Sequence, residues 1–343
     1  MRRQNDFNKL DSVIASLEQE MIDFQKAITA IPALSPTSGG EGEWDKAMLI
    51  KNWLNDWGIE DIQQIDAPDP DAKNGVRPTL IARVKGESDE RTVWLMAHTD
   101  VVPEGDLGLW DSDPWQAVVK DGKIFGRGTE DNQQGLTSSV FVLRALKKAG
   151  VVPSFDVAVI LAADEETGSA LGLEYLLENH RELFSKDDII VVPDAGEPDS
   201  TMIEVAEKSI LWLRFMTEGK QCHASTPDAG INAFRAGSEL VVQLDKLHEY
   251  FAERDEVFNP PISTFQPTKK EANVGNVNTI PGQDVFYLDC RILPTIALDK
   301  VMETCRDLAA AVEKKHGVSV KIEVVQQATA APATSADAPV VNM

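Results

Sequence analysis

Three apolar runs of strand length each end in acidic or imidazole side chains. VWLMA meets His98-Thr99-Asp100, VAVILAA meets Asp164-Glu165-Glu166, and IIVVP meets Asp194. In an open, mostly parallel α/β sheet, ligands gather at the carboxyl ends of the strands. Three such ends, each tipped with side chains of metal-ligand chemistry, imply one shared acidic pocket. Carboxylates crowded in this way repel one another and raise each other's pKa values. A divalent cation, or a pair, removes the conflict, so the pattern points to a metalloenzyme.

Composition narrows the class. A chain of 343 residues suits about two domains, and 43% hydrophobic residues are enough for real cores. A formal net charge of -23 argues against a nucleic-acid partner, because phosphate backbones need clustered Lys and Arg. Cys222, Cys290 and Cys305 show neither CxxC spacing nor a disulfide framework, which points to a reducing cytoplasm. No apolar segment follows the two arginines of MRRQNDFNKLDS, so a signal peptide is not expected. The longest apolar runs fall far short of a membrane span.

Periodicity gives the order of elements. Leu10, Ile14, Leu17, Met21 and Phe24 predict one amphipathic opening helix, and a second covers 43–57, with Gly58 after it. Strands are expected at 79–84 and 92–97. A long loop, rich in Gly, Pro, Asp and Trp, fills 101–130 apart from short strands around VVKDGKIFG. A helix then runs from Asn132 to Lys148, and strands at 156–163 and 188–193 bracket a helix at 170–184. This alternation predicts a doubly wound sheet. Beyond residue 205 the order becomes a strand (SILWLRFMT), a helix (231–248), strands at 274–279 and 284–292, a helix from Leu298 to His316, and a strand (VSVKIEVV). That βαββαβ order suggests a small ferredoxin-like domain.

Taken singly, the motifs are ambiguous. In His-x-Asp, His98 can ligate while Asp100 orients it. Asp131 in GRGTEDNQQG suits a bridging ligand, and equally a helix N-cap. Of the adjacent Glu165 and Glu166, one can ligate while the other faces a bound water, although an isolated Glu-Glu pair is more often a solvated loop. Asp194 could be a plain turn former. No Gly-x-Ser-x-Gly elbow favours a serine hydrolase.

In order and wording, MAHTDVVP, GRGTED, ADEETGS and PDAG resemble the co-catalytic zinc amidohydrolases that include acetylornithine deacetylase, succinyl-diaminopimelate desuccinylase, aminoacylase and carboxypeptidase G. GKQCHAS, NVNTIPG and DCRILP resemble that family's second domain. The resemblance implies an α/β fold: a doubly wound mixed sheet of zinc-peptidase type (1–205), an inserted ferredoxin-like α+β lid and dimerisation domain (206–327), and the start of a return to the catalytic domain (328–343). It makes His98 and Asp194 ligands of one zinc, Glu166 a ligand of the other, and Asp131 the bridge, with cobalt or manganese as possible substitutes. Asp100 matches the carboxylate that orients His98, and Glu165 the general base. His223 matches an imidazole that stabilises the oxyanion across a homodimer. Asn278 and Arg291 match residues that contact substrate. Without the resemblance, His223 reads as a surface loop residue and Arg291 as a partner for Asp289.

The implied activity is hydrolysis of an amide bond in small N-acyl amino acids or short peptides. The pattern departs from the family in two places. DNQQG stands where many relatives carry a lysine and glycines after the aspartate. The sequence also reaches APVVNM soon after the second domain, whereas the family draws a last histidine ligand from a later segment. The alternative expectation is therefore a truncated, catalytically impaired remnant that dimerises and holds at most one zinc tightly.

Overall fold

The structure is a computed structural model that describes residues 2–197 and 201–342. Its contacts divide into two units, between Met202 and Ile203.

The first unit opens with α1 (Arg2–Ala15) and α2 (Glu18–Thr29). The sequence predicts one helix here, but Leu17 leaves the helical ladder, its N–H donating to Ile14 O, and buries its side chain. After α3 (Trp44–Asp56) come β1 (Asp61–Pro68), β2 (Val76–Val84) and β3 (Ser88–His98). The sequence reading missed β1 because DIQQIDAP carries little apolar signal. The short β4 (Val118–Lys120) and β5 (Lys123–Phe125) form a hairpin inside the long loop. Then follow α4 (Gln133–Ala149), β6 (Phe155–Ala162), α5 (Leu173–Asn179) and β7 (Ile189–Val191). The helix expected over 170–184 is thus much shorter, with a 3-10 turn at Arg181–Leu183 after it.

The strands form one mixed sheet in the order β1-β2-β6-β3-β7. β6 and β7 both run parallel to β3, so the three acid-tipped runs finish on the same side. β2 is antiparallel to β6, which brings the start of β2 to that edge too. Helices α1 to α4 cover one face, burying Phe24, Ile50, Leu136 and Phe141 against Leu80, Val159 and Leu161. On the other face Leu176 of α5 packs with Trp94 and Ile160. IIVVP yields only three residues of edge strand, and Ile190 and Val192 stay exposed.

The second unit holds β8 (Ser209–Glu218), β9 (Cys222–His223), α6 (Ala233–Leu244), α7 (Leu247–Tyr250), β10 (Thr264–Lys270), β11 (Thr279–Ile280), β12 (Gln283–Ile292), α8 (Leu298–His316) and β13 (Ser319–Ala328). Its main sheet, β10-β12-β8-β13, is antiparallel throughout, the ferredoxin-like arrangement. Two expectations need correction. The helix over 231–248 breaks into α6 and α7. The strand expected at 274–279 reduces to the two residues of β11, and TFQPTKK supplies the sheet strand instead. Pro267 is accommodated there because β10 is an edge strand with a register shift at that point, where a missing N–H costs little. Residues 328–342 group with this unit: Ala330 N donates to Ser209 Oγ and Thr334 N to Val205 O.

The second core is built by alternation along β12, where Phe286, Leu288, Cys290 and Ile292 are buried against α6 and α8. Phe286 stacks on Phe215, with ring centroids 4.9 Å apart. Phe286→Ala is expected to destabilise this unit by about 3–5 kcal/mol. Urea unfolding followed by tryptophan fluorescence reads that loss, and a midpoint unchanged from the parent would refute it.

Candidate metal centre

His98 is the last residue of β3, registered opposite Ala162, the last of β6. Thr99 locks that register, since its N–H and hydroxyl both donate to Ala162 O, at 2.8 and 2.9 Å. The imidazole is almost wholly buried. Its Nδ1 lies 3.0 Å from Asp100 O and 3.4 Å from Asp100 Oδ1, and its Nε2 lies 3.0 Å from Asp131 Oδ1. Asp194 Oδ1 is 4.0 Å from the same nitrogen and Glu165 Oε2 is 3.8 Å from it.

Asp131 reaches the pocket because α4 begins one residue later than an aspartate cap would require. Asn132 is the N-cap residue, yet its side chain makes no capping bond. Its amide donates instead to Pro193 O and to Asp194 Oδ1. Gly135 allows this approach, because a Cβ there would collide with the Pro193 carbonyl. The glycine four residues after Asp131 therefore has a packing reason. Asn132 was missed in the sequence, where only its place between a bridging acid and a helix start could have marked it.

The Glu165–Glu166 turn hangs from Asp100. Glu165 N donates to Asp100 Oδ1 at 3.1 Å and Glu166 N to Asp100 Oδ2 at 3.0 Å. The buried Asp100 carboxylate therefore anchors both glutamate amides beside the His98 ring.

Electrostatics follow from crowding. Burial disfavours a charged His98 ring, but hydrogen bonds to Asp100 and Asp131 and the charge of Glu165 outweigh it, pushing the ring up to about 11. Burial raises Glu165, with His98 opposing and Asp100, Asp194 and Asp131 adding to the rise. Burial also pushes Glu166 up to about 7, reinforced by Asp131, Asp100 and Glu165 and opposed by His98. Asp131 is lowered by its bond to His98. This is a site short of positive charge.

A divalent ion fits that deficit. One donor atom each from His98, Asp131 and Asp194 lies within 4.8 Å of the others, and one imidazole with two carboxylates suits zinc, manganese or cobalt. Glu166 falls outside this closest group. An ion on Nε2 must displace the ring proton, so uptake near neutral pH releases a proton.

The Glu166 shift has a testable sign. Its folded pKa of about 7 lies above the ordinary 4.5. Its stabilising contribution is complete below about pH 4.5 and lost as pH rises through about 7. In metal-free protein, Glu166→Gln is therefore expected to melt near the parent at pH 4.5 and increasingly above it toward pH 7.5. Calorimetric melting across that range decides it, and a difference that does not grow with pH would count against the crowding.

In the second unit, β9 pairs with β11, setting Thr279 opposite His223. His223 is exposed; Ser225 N donates to its Nδ1 at 3.2 Å, and its Nε2 lies 3.3 Å from the Asn278 amide. Arg291 makes a two-pronged pair with Asp289, at 3.0 and 3.2 Å, and lies over the Trp212 ring.

Comparison with known proteins identifies the family. Residues 94–343 match the description of Peptidase family M20/M25/M40. The chain is 42% identical to an uncharacterized metallohydrolase of Methanococcus maripaludis over 289 residues, covering 81% of this chain and 68% of that protein. It is 29% identical to a succinyl-diaminopimelate desuccinylase of Delftia acidovorans over 304 residues, covering 88% and 74%. Among solved structures, the di-peptidase Dug1p of Saccharomyces cerevisiae superposes with a TM-score of 0.77 at 17% identity, covering 98% of this chain and 82% of that one. With its three acid-tipped strand ends gathered around one buried histidine, the chain belongs to peptidase family M20/M25/M40 and is a metallohydrolase.

Proposed function

We propose that this protein hydrolyses an amide bond in small N-acyl amino acids or short peptides, as a deacylase, desuccinylase or peptidase. The observation that carries the reading is Glu165 Oε2 standing 3.8 Å from His98 Nε2, beside the donor group of His98, Asp131 and Asp194. In this reading His98 and Asp194 would hold one zinc and Glu166 the other, with Asp131 available to both. Bound zinc would polarise the amide carbonyl and make a water more acidic. Asp100, at His98 Nδ1, would keep the ring turned so that Nε2 is available to the ion. Glu165 accepts a proton from the attacking water and returns it to the leaving amine, a task suited to a carboxyl raised above its usual range. His223 donates to the carbonyl oxygen as negative charge develops there, acting across a homodimer with Asn278 beside it. Arg291 offers a planar fork to a substrate carboxylate. A reducing cytoplasm fits the free thiols of Cys222, Cys290 and Cys305, and no helix among the described residues is long and apolar enough to cross a membrane.

The test starts from protein stripped with a chelator and reloaded with zinc, cobalt or manganese. It is assayed against N-succinyl and N-acetyl amino acids and a dipeptide panel. Metal-dependent release of free amine supports the proposal. Ion binding with no turnover on any member would favour the alternative, a folded metal-binding remnant.

A further inference from the structure

Behind the glutamate turn lies a second set of charges that ion ligation does not require. Glu43, Lys46, Arg77 and Asp164 are all buried, and Asp69 nearly so. Arg77, near the start of β2, directs Nε to Glu43 Oε2 at 2.6 Å and a second nitrogen to Glu43 Oε1. Its remaining nitrogen lies 3.3 Å from Asp164 Oδ1 and 3.6 Å from Asp69 Oδ2. Asp164 immediately precedes the two glutamates and has a left-handed backbone, φ +63°, which a non-glycine residue keeps only when its surroundings hold it. Those surroundings are specific. Asp164 N donates to Glu43 Oε1 at 3.2 Å, Leu171 N donates to Asp164 Oδ2 at 2.9 Å, and the Thr167 hydroxyl donates to Asp164 Oδ1. Three successive amides, those of Asp164, Glu165 and Glu166, are thus each held by a buried carboxylate.

Burying this much charge is a poor way to stabilise a core, because apolar residues of similar volume commonly do as well or better. A bidentate arginine instead fixes direction. The turn needs direction, since Glu165 and Glu166 face the repulsion of Asp100 and Asp131. Lys46, one turn along α3 from Glu43, adds a buried amine whose nitrogen has no hydrogen-bond partner and whose charge is felt by Asp100 and Glu43.

We propose that Glu43, Arg77 and Asp164 are positioning residues for the reaction: through the Asp164 turn they fix where Glu165 and Glu166 point. This rests on the assignment of Glu165 as base and Glu166 as ligand. Neither Glu43 nor Arg77 is part of the ion site itself.

The test compares the parent with Arg77→Lys, the charge-balanced double variant Glu43→Gln/Arg77→Met, and Glu166→Gln. Each is followed by circular dichroism melting, by amide hydrogen exchange of the peptide spanning 164–172, and by cobalt(II) titration read in the visible absorption bands. Arg77→Lys keeps the charge but loses the fork. It is expected to fold, to exchange at least about 10-fold faster over 164–172, and to bind the Glu166-dependent cobalt about 10–100-fold more weakly. Parent-like exchange and titration in a folded Arg77→Lys or in the double variant would overturn the inference. Should both variants fail to fold, Thr167→Ala, which removes only the hydroxyl donor to Asp164, must still accelerate exchange over 164–172; parent-like exchange there overturns it. An unchanged titration in Glu166→Gln would instead remove Glu166 from the ion site, and the exchange result would still judge the tie.

Discussion

Glu165→Gln is expected to lower the rate of amide hydrolysis by at least about 10²–10⁴-fold while zinc content stays at the parent value. The two readouts separate because Glu165 is assigned to proton transfer and Glu166 to ligation, although the residues are adjacent and share one anchor in Asp100. Glutamine keeps the size of the side chain and both backbone amides, so the turn should hold its shape. Metal analysis and steady-state rates on the same preparation make the comparison. If Glu165→Gln emptied the site of zinc, the two glutamates would have to exchange roles.

Zinc titrated into stripped protein should give one tight binding event and a second, weaker one. His98, Asp131 and Asp194 offer three donors within 4.8 Å of one another, and three protein ligands are typical of a catalytic zinc position. Beyond the shared Asp131, Glu166 is the other ligand assigned to the second ion. His98→Ala should abolish the tight event, weakening it beyond the 10–100-fold typical of losing an orienting residue. Calorimetry in buffers of different ionisation enthalpy should also show the parent releasing a proton on zinc uptake near neutral pH, because the His98 ring is pushed up to about 11 without the ion. Two equally tight events would mean that another donor completes the second position. None of the contacts of His180, His248 and His316 suggests one: His316 is engaged by Glu239, His248 stands edge-on to Phe265, and His180 Nδ1 lies 3.5 Å from Glu182 Oε1.

The site residues at the strand ends were readable from the sequence because each follows an unbroken apolar run, whereas Asp131 stands in the polar stretch GRGTED. Apolar sequence and ligand chemistry are written next to each other at Ala97-His98, Ala163-Asp164 and Pro193-Asp194. Helix α8 was equally plain: its apolar positions recur with helical period and Gly317 follows in the left-handed region. Where the local signal is polar or broken, the reading failed. β1 and β10 are edge strands with charged or proline-containing sequences, and pairing with a neighbour is what makes them strands. The break between α1 and α2 leaves hydrophobic periodicity intact, so the sequence gives no sign of it.

The sequence by itself determined the chemistry available at the strand ends, because an apolar run and the side chain that terminates it are consecutive in the chain. Which of those side chains meet, and what holds them, was decided only by tertiary structure. Asn132 finds Asp194 across 62 positions, and Asp164 finds Glu43 across 121. Arg77 and Glu43 become partners because the start of β2 and the N-terminus of α3 meet beside the end of β6. Contacts between distant positions follow from how strands are ordered in a sheet and how helices cover it. A charged residue on a buried face, such as Lys46 within the apolar stripe of α3, is the most that a linear reading can show of them.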